Sequence, residues 1–87
     1  MTIRELISSM SNIPQKFSIR AKNRWIQRLY ADLAKPDDFD MIILDAIADL
    51  KIREWYVNLD AEIVIYTDDE ITVDLINLCL KFGFSVI

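Results

Sequence analysis

A chain of 87 residues holds one domain, since single domains usually run to roughly 100–150 residues and the smallest stand-alone ones to about half that. Its hydrophobic fraction of 53% against 28% charged residues is too apolar for a disordered chain, and a single Cys with no His excludes a disulfide framework and the usual zinc, haem and iron–sulfur ligand sets. The net charge of −4 hides a split: residues 1–36 carry seven basic and two acidic side chains, a surplus of five positive, whereas residues 37–87 carry three basic and twelve acidic, a surplus of nine negative.

Thr2-Ile-Arg-Glu5 is a capping-box pattern, in which the Thr hydroxyl and the Glu carboxylate satisfy unpaired amides of a first helical turn. Ile3, Leu6, Ile7 and Met10 then recur at helical spacing, so the pattern predicts a short docking helix that ends at Ser11-Asn12-Ile13-Pro14. A second, longer helix is expected over about 16–34, starting between Pro14 and Ser18 and stopping before Pro36. At 100° per residue, Ile19, Trp25, Ile26, Leu29, Tyr30 and Leu33 would cover one wall of it. Lys16, Arg20, Arg24 and Arg28, with Asn23 and Gln27, would cover the other, and Lys22 would lay its stem along the packed side.

Asp37 or Asp38 can cap a third helix of about 38–50, with Phe39, Ile42, Ile43, Ala46, Ile47 and Leu50 inward and Asp38, Asp45 and Asp49 outward. Residues 52–57 read as a strand, because the turn chemistry of Asn58-Leu-Asp-Ala61 and the β-rich run Glu62–Thr67 after it suggest an antiparallel hairpin. Thr67-Asp-Asp-Glu70 is a second capping-box pattern opening a helix of about 69–82, apolar over most of its circumference and hence expected to pack on more than one side. Gly83 suits the left-handed position after it, and 84–87 would supply a short strand parallel to 62–67. The expected architecture is thus a small single α+β domain with three N-terminal helices followed by a β-β-α-β half.

No stretch approaches the about 20 apolar residues of a membrane span and no signal peptide is legible, so a reduced cytoplasmic setting without membrane contact is expected. Catalysis lacks its usual base, and Cys79 falls in an apolar arc where thiols are packing. Asp68, Asp69 and Glu70 could hold a cation, but helix capping explains them first and no Gly-rich phosphate loop accompanies them, so neither metal nor cofactor is expected. Three helices and a hairpin resemble in order a winged helix-turn-helix domain, yet the helix that would read DNA carries Asp38, Asp40, Asp45 and Asp49 and would repel phosphate.

Two surfaces remain. The acidic face of Asp37, Asp38, Asp40, Asp45 and Asp49, with Trp55 as an aromatic anchor, points to a non-enzymatic module, such as an inhibitor, adaptor or antitoxin-like factor, that occupies a basic surface on another protein. The basic stripe Lys16, Arg20, Arg24, Arg28 offers nucleic-acid binding as the alternative. The opposed charges of the halves and the apolar last helix also suggest a homodimer.

Overall fold

The computed structural model describes residues 1–10, 16–29 and 38–87, and of Phe39 and Asp40 the backbone alone. In chain order the described elements are α1 (Ile3–Ser9), β1 (Lys16–Arg20), β2 (Trp25–Leu29), α2 (Asp38–Ile47), β3 (Glu54–Val57), β4 (Glu62–Tyr66), α3 (Val73–Lys81) and β5 (Ser85–Val86). The strands form one mixed sheet in the order β3-β4-β1-β2-β5. Helices and strands are therefore interleaved, and the expectation of three N-terminal helices ahead of a β-β-α-β half is corrected.

The correction centres on 16–29, which is an antiparallel hairpin rather than a helix. Lys16-Phe-Ser-Ile-Arg20 alternates polar and apolar, so a strand puts Phe17 and Ile19 on one face. Ile19 and Ile26 are seven apart, a spacing that shares a helical face but that here makes them register partners across the turn. That turn holds neither Gly nor Pro. It closes through Ala21 N–H donating to Arg24 O at 2.9 Å and is held from outside by Asn23. The Asn23 amide donates to Ile71 O at 2.9 Å and accepts from Ile71 N–H at 2.8 Å, tying the hairpin tip to the β4–α3 connection. Asn23→Ala leaves two backbone groups unpaired there and should lower the unfolding free energy in urea by about 1–3 kcal/mol.

β1 also pairs in parallel with β4, which pairs antiparallel with β3 as the turn at 58–61 implied. Asn58 Oδ1 accepts from the N–H groups of Asp60 and Glu62, both at 3.0 Å, and so shapes that turn. The short β5 does not join β4; it pairs antiparallel with β2 at the far edge, so α3 carries the chain past β1 and β2.

All three helices contribute to one core on one face of the sheet. Ile3 and Leu6 of α1, Ile43 and Ile47 of α2 and Cys79 of α3 pack with Phe17, Ile19, Ile26, Ile63, Ile65 and Phe84. α2 packs against both other helices. The first box is formed, with Thr2 N–H donating to Glu5 Oε1 at 3.3 Å and Glu5 N–H to Thr2 Oγ1 at 3.4 Å. Two further free amides of α1, Ile3 and Arg4, donate to the carbonyls of Leu50 and Ala48 at 3.1 and 3.0 Å, so the start of α1 and the end of α2 satisfy each other.

α3 starts later than expected because Thr72 caps it, accepting from Leu75 N–H at 3.2 Å. The box expected at Thr67 and Glu70 is absent; buried Thr67 instead accepts from Asp69 N–H at 3.1 Å. The end of α3 is as its sequence implies: Gly83 has φ +88°, and Phe84 N–H reaches Cys79 O at 2.9 Å, bringing the Phe84 ring into the core. α3 packs on the sheet-side core through Cys79 and against α2, as its wide apolar arc implied, but Val73 and Leu80 remain exposed. Among the described residues no helix is long and apolar enough to cross a membrane.

Candidate functional site

α2 owes its orientation to its apolar residues. Ile43 and Ile47, four apart, are buried in the core, and Leu44 is half-buried against it, which turns the opposite side to solvent. Asp38 and Asp45 are seven apart, about 20° from each other around the axis, and both are exposed, as is Asp49 in the turn that follows. The outward acidic stripe is therefore present. Asp37 lies outside the described residues, and the same holds for the side chain of Asp40.

The inward set differs from the expected one. Ile42 and Ala46 are exposed rather than packed, so the stripe has an apolar shoulder on each side, Met41 and Ile42, at 45% and 47% exposure. On the Met41 side lies a groove of about 190 Å³ between α1 and α2, lined by Ile3, Ile7, Met41, Leu44 and Ala48 and rimmed by Arg4 and Asp45. Arg4 Nη1 is 4.0 Å from Asp45 Oδ1 with both side chains well exposed, a pair of little energetic worth. The stripe can thus offer carboxylates and apolar contacts together. Neither shoulder nor groove could be read from the sequence, because both depend on how α1 docks against α2.

Trp55 is placed apart from this stripe. It lies on the edge strand β3, and its register partner Ile65 puts it on the helix-covered side of the sheet, where it remains 42% exposed.

The basic stripe is dispersed. Lys16 and Arg20 point to the sheet face away from the core, Arg28 is the register partner of core residue Phe17 and sits 5.8 Å from the Phe84 ring, and Arg24 and Lys22 are exposed in the turn. No single wall carries them, and the packed position expected for Lys22 is corrected with the helix that implied it. Instead Arg20 stacks on Trp25 at 4.1 Å and donates to the Tyr66 hydroxyl at 3.5 Å, while Tyr56 stacks on Tyr66 with ring centres 6.3 Å apart. A hydrogen bond with Tyr66 holds the Tyr56 hydroxyl above the usual phenol range. Beside this aromatic patch a cleft is lined by Arg20, Lys22 and Arg53 but also by Asp68, which pairs with Arg53 at 3.2 Å. Three basic side chains thus line the cleft against one acidic one, and Asp68 engages Arg53 alone.

Two of the three acidic residues 68–70 contact other parts of the fold: Asp68 pairs with Arg53, and Asp69 accepts from Lys51 N–H at 3.0 Å. Among the described residues no group of three His, Cys, Asp or Glu side chains is arranged to hold a metal. Cys79 is fully buried, and burial pushes its thiol up to about 11. Because the raised value favours the neutral thiol in the folded chain, alkylation at pH 8 should be slow while the chain is folded and fast once urea unfolds it. Folding stability should fall as pH rises from the ordinary thiol range toward about 11, since the unfolded chain ionises first. Compared with protein-family models, curated proteins and solved structures, the chain finds no significant match.

Proposed function

We propose that the chain is a non-enzymatic protein-binding module, of the inhibitor, adaptor or antitoxin-like kind, that docks on a basic surface of another macromolecule through the outward side of α2. The observation that carries this reading is the pairing of an exposed acidic stripe, Asp38, Asp45 and Asp49, with the apolar shoulders Met41 and Ile42 and the groove beside them. A solubilising face needs only the charges. A docking face needs apolar area that a partner can desolvate, with charge at its rim to steer the encounter. The buried, protonated thiol of Cys79 makes a poor nucleophile at neutral pH, which supports a non-catalytic role, and a free thiol suits the cytoplasm.

Affinity capture from nuclease-treated lysate, with the immobilised chain as bait, tests the reading. A protein should be retained by the wild type and by Arg20→Glu/Arg24→Glu, and captured more slowly by Asp45→Lys/Asp49→Lys. Capture that disappears with nuclease, or with the Arg variant alone, transfers the function to nucleic acid.

A further inference from the structure

The two edges of the sheet are unlike. β5 is two residues long, too short to template another chain. β3 offers Glu54–Val57, all four exposed, and three of them are Trp55, Tyr56 and Val57. Within the strand itself there is no Pro and no Lys, and its one charge is Glu54. The edge ahead of it is closed, since Arg53 N–H turns in to Tyr66 O at 2.8 Å and Ile52 N–H donates to Met1 O at 2.8 Å, so the free edge is confined to 54–57.

The hairpin fixes which backbone groups are free. Asn58 N–H donates to Glu62 O at 3.0 Å, so 58 and 62 are a hydrogen-bonded pair. By antiparallel alternation Tyr56 and Glu54 also turn their peptide groups toward β4, which leaves those of Trp55 and Val57 directed away from the sheet.

We propose that β3 pairs antiparallel with β3 of a second copy about a two-fold axis at Tyr56, joining the two sheets into one. Only outward-directed residues can form the hydrogen-bonded pairs of the new ladder. Trp55 of each copy therefore meets the partner's Val57, each pair exchanging both of its hydrogen bonds, an aromatic against a β-branched side chain. On the other face Tyr56 meets the partner's Tyr56. Glu54 faces the partner's Asn58, a carboxylate against an amide that can donate to it. Charge agrees with this orientation: Lys51 precedes the strand and Asp60 follows it, so antiparallel pairing brings Lys51 of each copy toward the acidic turn of the other, while Arg53 stays with Asp68 and Glu54 of its own chain. This self-complementarity about one axis is what favours a second copy over a foreign strand.

The test places like charges on the axis. Wild type should sediment at about 20 kDa, twice the 10.2 kDa of one chain, at concentrations on the order of 100 µM. Tyr56→Lys and Tyr56→Glu should each fold by far-UV circular dichroism and sediment at about 10 kDa, and their equimolar mixture should return to about 20 kDa. Val57→Pro removes one outward N–H without touching the bonds to β4 and should also be monomeric, which keeps the test decisive if the Tyr56 variants misfold. A wild type at about 10 kDa overturns the proposal. So do variants that stay dimeric alone, or a mixture of folded variants that stays monomeric.

Discussion

Phe17→Ala should lower the unfolding free energy by about 3–5 kcal/mol, the range for deleting a large aromatic from a packed core. Phe17 has no accessible surface and sits on β1, the central strand, among side chains from the helices and the neighbouring strands. Domains of this size are stable by about 5–15 kcal/mol, so the variant should be close to unfolding at room temperature. The helix expected for 16–34 left Phe17 off its packed wall and so implied a near-neutral change. Urea unfolding separates the two readings: a loss under about 1 kcal/mol with an unchanged slope would contradict the hairpin.

Where the fold was legible, a signal and its structural use coincided. Thr2 and Glu5 form the box they spell, Asn58 builds the turn after β3, and Gly83 with Phe84 closes α3. The misread segments each carried a pattern with two solutions. Basic residues four apart and apolar residues seven apart satisfy a helix, yet the same seven-residue spacing makes Ile19 and Ile26 partners across a hairpin. The turn between them gave no Gly or Pro to decide the matter, and its fixing contact, Asn23 to Ile71, joins residues 48 apart in the chain. Thr67 and Thr72 are each followed three residues on by a position that a cap can serve; the Thr67 hydroxyl is taken by Asp69 N–H, and Thr72 caps the helix. α2 is apolar at so many positions that its inward direction was ambiguous by a fraction of a turn, enough to put Ile42 outside. The acidic stripe survived that error because Asp38 and Asp45 lie so nearly two turns apart.

Asp45→Lys/Asp49→Lys should slow association with the captured partner by about ten-fold or more at low salt while leaving the fold intact, since both side chains are exposed. Two reversals change the local charge by four, and among the described residues the ion pair lost is the weak one to Arg4. The dissociation rate should change less, because rim charges act mainly on the encounter. Raising the salt should shrink the difference between variant and wild type as the screening length shortens from about 10 Å at 0.1 M. Met41→Ala should show the opposite split, leaving the association rate near wild type and raising the dissociation rate, because its contribution is desolvated area beside the groove.

Backbone amide chemical-shift mapping of the labelled chain with the captured, nuclease-treated partner tests the docking face most directly. The account predicts that the perturbed amides cluster on Asp38–Asp49 of α2 and on the side of α1 that borders the groove, around Arg4, Ile7 and Ser8. Perturbations centred instead on Arg20, Lys22, Arg24 and Trp25, with α2 unchanged, would contradict it.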